Sequence, residues 1–362
     1  GMRSSVVIPA AVALTAAGVL ALWNALASKS ARRRLRRDAT LVQVGDRSVH
    51  VEDTPASGRG AGRDFTVVLD AGLGMSSLSW SWVRDSITRS GVRVVTFDRP
   101  GLGRSPAQSG VPWLRRVDVL VEQMHEVLEK VGANKKLVLV GHSSSGMHVR
   151  LFAHRYPKQV AGLVLVDAAN EQQLGHLEGS SVYNSYPPAQ VTEAKLGRLK
   201  RLWHSGLLRI MYLCSGPAFE EKAWDFPPLK TLQRILDRFG RAAAVEVRQT
   251  EKMLLPHFRE DRRAQFHDEQ FCLEGMSAML AEHGSQRASM EYMQTQDLLR
   301  PGTLSDLPIM VVSRDPEVGA GGGLYENARG NQNREEVHAR MQHQLAGLSS
   351  NARVHVVGGA GH

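Results

Sequence analysis

A chain of 362 residues that is 42% hydrophobic can bury one substantial core, or a core plus a smaller appended unit, and is too apolar for a mainly disordered protein. Two cysteines, Cys214 and Cys272, give neither a disulfide framework nor zinc-ligand spacing and read as free thiols. The net charge of +9 is local: residues 1–37 hold seven of the 45 basic residues and no acidic one, leaving 38 basic against 36 acidic in the rest, which excludes a nucleic-acid footprint.

The first expected element is a helix. From Ser4 to Ser28 no residue is charged, and about 20 apolar residues suffice to span a bilayer. Only Arg3 precedes this run, whereas Lys29, Arg32, Arg33, Arg34, Arg36 and Arg37 follow it. A secretory signal has a shorter apolar run with its charge in front. The reversed polarity predicts a single-pass membrane anchor with the following domain on the cytoplasmic face. Ala25-Leu26-Ala27 offers a small-x-small cleavage pattern, so a secreted or organelle-targeted product is the alternative, and a buried helix a further one.

Beyond residue 37 the apolar runs are short and regular. Residues 41–51 read as an edge strand, followed by buried strands at 65–70, 92–97, 137–140 and 160–166, with a helix near Trp80 and Trp82 and another over 114–130. Residues 170–303 break this rhythm: helices are expected around 193–213, 229–253, 262–283 and 286–299, punctuated by prolines. Strands resume at 307–312 and 352–357 around a glycine-rich stretch at 319–323 and a helix over 335–348. Strands alternating with helices predict an α/β fold, a mostly parallel sheet covered on both faces, with its site beyond the carboxyl ends of the strands. The expected organisation is a 1–37 anchor or targeting segment, a core in two parts (38–169 and 304–362), and a 170–303 helical lid insertion.

The strongest local signal for chemistry is Val140-Gly141-His142-Ser143-Ser144-Ser145-Gly146, a strand running into a helix. A serine on a sharp strand-to-helix turn is lifted above the sheet edge, and small neighbours let the backbone fold tightly. The usual final glycine is Ser145 here, with glycine only at 146. Ser143 lies two residues after Gly141 and is the expected nucleophile. Ser144 would lend its backbone N–H to an oxyanion, and His142 should point elsewhere. A serine hydroxyl needs a base, itself oriented by an acid. His362, after the last strand and a glycine-rich turn, is the best base. Asp315, after the penultimate strand, is the expected acid, although a turn role would suit it too. Asp167, ending the fourth buried strand, is its main rival. Leu73, within Gly72-Leu73-Gly74, is the expected second oxyanion donor.

In this order, Asp70-Ala71-Gly72-Leu73-Gly74, Asp98-Arg99-Pro100-Gly101-Leu102-Gly103-Arg104-Ser105, Gly141 to Gly146, Val164-Leu165-Val166-Asp167 and Gly359-Ala360-Gly361-His362 resemble the α/β-hydrolase superfamily, near its serine esterases and proline-iminopeptidase-like members. The similarity covers about 41–170 and 304–362. It implies an α/β-hydrolase fold, Ser143 as nucleophile, Asp315 as acid, His362 as base, and Leu73 with Ser144 as oxyanion donors. Family members often carry a histidine where Ala71 stands, and most continue past the catalytic histidine, so the chain is expected to be truncated at His362. Serine at 143 argues against the dehalogenase and epoxide-hydrolase branches, which place an aspartate there.

No cofactor is expected for such chemistry, and no metal. His257, His267 and His283 do not share a helical face, and His125-Glu126 lacks the second histidine of a zincin helix. Gly101 and Gly103 form no dinucleotide fingerprint, and Arg259, Arg262 and Arg263 read as solvated surface. The expected partner is a small-molecule ester or lipid-like substrate and not a nucleic acid; Trp203, Leu207, Leu208, Met211, Tyr212 and Phe219 in the insertion, with the anchor, favour a hydrophobic one. An amidase or aminopeptidase on the same triad, and a binding protein with a dead triad, are the competing readings.

Overall fold

The computed structural model describes residues 4–57, 62–107, 115–173, 197, 201, 204–206, 258, 260–270, 272–318 and 331–362. Trp203 and the other apolar insertion residues named above, Cys214, His257, Arg259 and the 319–323 stretch lie outside them. Two compact units are present, Gly1–Leu35 with Glu193–Leu273, and Arg36–Thr192 with Glu274–His362.

The second unit holds an eight-stranded sheet of β1 (Leu41–Val44), β2 (Arg47–Thr54), β3 (Thr66–Asp70), β4 (Arg93–Phe97), β5 (Leu137–His142), β6 (Val160–Val166), β7 (Ile309–Arg314) and β8 (Ala352–Val357). Their order is β1-β2-β4-β3-β5-β6-β7-β8. β1 and β2 pair antiparallel, as do β2 and β4, and every pair from β4 through β8 is parallel. This is an α/β-hydrolase fold. The expected edge strand over 41–51 is a hairpin instead, because Gly45 at φ +57° with Asp46 turns the chain tightly.

The central strands need cover on both faces: every residue of β3 is buried, and β5 is nearly so. Helix α2 (Ser81–Arg89) packs on β4, and α3 (Val117–Lys130) and α4 (Ser145–Arg155) pack together. On α3, Val117, Leu120, Val121, Met124, Val127 and Leu128 form the buried stripe anticipated from their spacing. Each such fully buried side chain stabilises the fold by roughly 1.5–3 kcal/mol, so a charge at Met124 would break this face. The Val117 amide is capped by the Ser289 hydroxyl at 3.0 Å. Ser289 lies on α6 (Leu273–Thr295), which runs unbroken through Gly284, where the sequence suggested a gap between two helices. From Glu274 on, α6 belongs to the sheet-bearing unit. The last helix here is α7 (Asn331–Ala346).

The first unit contains α1 (Ser4–Arg37, its last two residues outside the unit) and α5 (Glu260–Gln270). Within it, Arg34 makes a forked pair with Asp268 at 2.5 and 2.8 Å, and Phe258 and Phe266 are buried neighbours. Among the described residues no helix is long and apolar enough to cross a membrane, so the structure gives the spanning anchor no support. Cys272 is a buried free thiol.

Candidate active site

The site starts where β5 meets α4. Ser143 holds φ +53°, a left-handed conformation that costs a non-glycine residue on the order of 1–2 kcal/mol and persists only where its surroundings enforce it. Those surroundings are visible. The Ser143 N–H donates to the Val166 carbonyl at 3.0 Å, and the Ser143 carbonyl accepts from Ala169 at 2.7 Å and Gly146 at 3.1 Å. A Cβ at Gly141 would stand 2.5 Å from the Ser145 carbonyl oxygen, so only glycine lets the helix turn back this closely. Ser145, in place of the usual glycine, is fully buried and donates its hydroxyl to the Ala71 carbonyl oxygen.

His362 reaches this turn from the end of β8. Its Nε2 is 3.1 Å from Ser143 Oγ, and its Nδ1 is hydrogen-bonded to Asp167 Oδ2. Asp315, the expected acid, does not reach the imidazole. Its carboxylate accepts the backbone N–H groups of Gly359 at 2.8 Å and Glu317 at 2.9 Å, while its own amide donates to the Ala360 carbonyl at 2.9 Å. Those amide hydrogen bonds hold its carboxyl below the usual carboxylate range. Asp315 thus staples the turn that delivers His362, and the rival Asp167 takes the partner position.

Asp167 is buried at the end of β6, with φ +42°. Besides His362, it accepts from His338 Nε2 at 2.7 Å, from Arg314 Nη1 at 2.8 Å and from the Arg314 amide at 3.3 Å. Burial would raise its carboxyl, but the hydrogen bonds from His338 and His362, with the charges of His362 and Arg314, outweigh burial and hold it well below the normal range. Arg314 is itself shared with Glu335 at 3.1 Å. Neither His338 nor Arg314 stands out from the sequence; Arg314 sits at a strand end, but His338 on α7 carries no local signal.

His142 does not point elsewhere. Its ring packs 5.0 Å from that of His362, tilted 32°, and meets Trp80 edge-on at 6.3 Å. Burial first, and then the nearby His362, push its pKa down to about 4. It is therefore a neutral ring at pH 7 and no rival for the proton.

The β3–α2 connection crosses above Ser143: a Cβ on Gly72 would lie 3.5 Å from Ser143 Cβ. Leu73 follows directly. Ser144 occupies the N-cap of α4, where backbone N–H groups are left over and the helix end favours negative charge. The structure thus brings Leu73, His142, Ser143, Ser144, Asp167 and His362 to one sheet edge, with Asp315 behind the last turn. Among the described residues no group of three His, Cys, Asp or Glu side chains could hold a metal ion. An open groove lined by Val44, Gly45, His125, Glu126, Glu129 and Lys130 contains none of these site residues.

Comparison with known proteins agrees with the fold. Residues 66–199 match the alpha/beta hydrolase fold family. Over that stretch the chain matches the α/β-hydrolase superfamily. It is 32% identical to Methylesterase 9 of Arabidopsis thaliana over 90 residues, 24% of this chain and 34% of that one. It is also 32% identical to esterase PIR7B of Oryza sativa subsp. japonica over 102 residues, 26% and 36% of the two chains. The chain spans about two fifths of the length of the curated relatives it matches first. Among solved structures, the enol-lactonase of Burkholderia xenovorans LB400 is similar in fold, with TM-score 0.50, 14% identity, and 88% of this chain and 91% of that one covered.

Proposed function

We propose that this chain is a serine hydrolase that cleaves a carboxylic ester through an acyl-enzyme. Ser143 Oγ attacks the carbonyl carbon while His362 Nε2 takes its proton, and Asp167 holds the imidazole and balances the charge it gains. The tetrahedral oxyanion accepts hydrogen bonds from the Leu73 and Ser144 amides. His362 returns the proton to the departing alkoxide. Water, deprotonated by the same nitrogen, then attacks the acyl carbon, and Ser143 leaves with the proton as the acid is released.

The observation that carries this reading is the unbroken relay from Ser143 Oγ to His362 Nε2 at 3.1 Å and from His362 Nδ1 to a buried carboxylate. A dead triad would need an imidazole with no carboxylate in reach, and Asp167 is in reach. The esterase relatives favour an ester over an amide, and the apolar insertion residues favour a lipophilic acyl or alcohol part.

Nitrophenyl esters of graded chain length test this. The purified chain is expected to give a burst of nitrophenol followed by slower turnover, and Ser143→Ala to lose at least ~10³-fold in rate. Equal hydrolysis by wild type and Ser143→Ala would rule the reading out.

A further inference from the structure

We infer that Arg99 and Glu282 are positioning residues that set the oxyanion loop over the nucleophile, so that α6 governs the hole that β3 and α4 provide. This rests on the reading of Leu73 as an oxyanion donor. Arg99, 4% exposed at the end of β4, extends its guanidinium beneath residues 71–75. Nη1 donates to the Ala71 carbonyl and to Asp70 Oδ1, both at 2.8 Å, and Nη2 donates to the Gly72 carbonyl at 2.7 Å. The same fork grips Glu282 on α6, with Nε to Oε1 at 2.7 Å and Nη2 to Oε2 at 3.0 Å. Glu282 Oε2 in turn accepts the Gly74 N–H at 2.7 Å.

Three carbonyls of the loop, those of Ala71, Gly72 and, at 3.4 Å, Met75, are thus drawn toward Arg99, and the amide beyond Leu73 is drawn toward Glu282. The Gly72 carbonyl also accepts from the Met75 amide at 3.1 Å, which closes the turn around Leu73. With its neighbours held on the far side, the Leu73 N–H is the donor assigned to the ligand. The backbone itself is pressed on α6: Gly74 has φ +68°, and a Cβ there would stand 2.4 Å from Met279 Cγ.

A contribution to stability alone does not account for the arrangement. Fully buried ion pairs roughly break even against apolar packing of equal volume, because both partners lose their hydration. Here Asp70, Glu282, Arg99 and Arg115 sit together, with Arg115 Nη1 3.0 Å from Glu282 Oε1 and His148 Nδ1 2.7 Å from Asp70 Oδ2. Two positive and two negative groups balance, and the fork geometry of arginine fixes direction as well as charge. What the cluster supplies is a rigid loop. Glu282 also lies outside the 66–199 stretch that matches the family, so this clamp comes from a separate part of the chain.

The test compares Glu282→Gln and Arg99→Lys with wild type on a nitrophenyl ester, with rates expressed per active site by burst titration so that unfolded protein drops out. Both variants are expected to lose ~10–100-fold in kcat with KM changed less than about threefold, since a small misplacement costs rate rather than ground-state binding. Affinity for an alkyl boronic acid, which forms a tetrahedral adduct with Ser143, should fall by the same factor as kcat. Wild-type kcat in folded variants would overturn the inference, as would a kcat loss with unchanged boronate affinity. Failure of both variants to fold assigns the pair to the scaffold and overturns it as well. If wild type itself shows no Ser143-dependent hydrolysis, the functional reading fails first, and that result is distinct from all of these.

Discussion

Two neighbouring strands each end in an aspartate, and the two have opposite surroundings. Asp167 follows β6, is buried, and offers its oxygens to two imidazoles and a guanidinium. Asp315 follows β7, is only half-buried, and offers its oxygens to the amides of Gly359 and Glu317. The difference begins one residue earlier. Arg314, the last residue of β7, reaches back to Asp167 and leaves the next position to the turn. One residue type at equivalent strand ends thus holds the His362 ring directly in one case and its turn through the backbone in the other.

Substitution of the two aspartates gives the largest contrast. Asp167→Asn is expected to lower kcat by ~10³–10⁴-fold, because an amide cannot hold the imidazole in the required tautomer or balance its charge. Asp315→Asn should cost under ~10-fold, since an amide oxygen still accepts a backbone N–H. Steady-state kinetics on one ester decides between them, and equal losses would erase the distinction drawn here. Arg314→Gln comes next. It leaves Asp167 short of its guanidinium partner, and a broken buried ion pair costs ~3 kcal/mol of stability with an expected ~10-fold drop in kcat. Thermal unfolding and kinetics together measure both, and an unchanged Tm would remove Arg314 from the support of Asp167.

The smallest effect concerns His142. Its folded pKa is about 4 against 6.5 for the free side chain, so between those values the unfolded chain takes up a proton that the folded one refuses. Stability therefore falls as pH drops from about 6.5 to 4, by ~1–3 kcal/mol after allowance for the ring's partial exposure, and carries no such penalty above 6.5. His142→Phe keeps the packing and loses the proton site. Its Tm, measured from pH 4 to 7, should fall less steeply than that of wild type; parallel curves would show that His142 titrates normally.

Much of this was legible in the sequence. The buried strands, the α3 stripe and the Ser143 turn follow from apolar runs, helical spacing and small residues around one serine. The acid did not, because strand ends look alike in sequence and only the cross-strand reach of Arg314 separates Asp167 from Asp315. The hairpin at Gly45-Asp46 carried a turn signal that weak alternation over 41–51 obscured. The gap expected between 283 and 286 is the opposite case: α6 continues through it and its Gly284, since packing outweighs a glycine's modest helix penalty. Glu282 could not be anticipated at all. It stands 183 positions from Arg99, and nothing local marks it as part of the site.

The hydroxyl at Ser145 has one more consequence. It bolts the first turn of the nucleophile's helix to the strap that passes above it, through the Ala71 carbonyl. On the proposed mechanism the attacking oxygen and the anion cradle would then share a common mount, which would fix the spacing between them more firmly than the location of either.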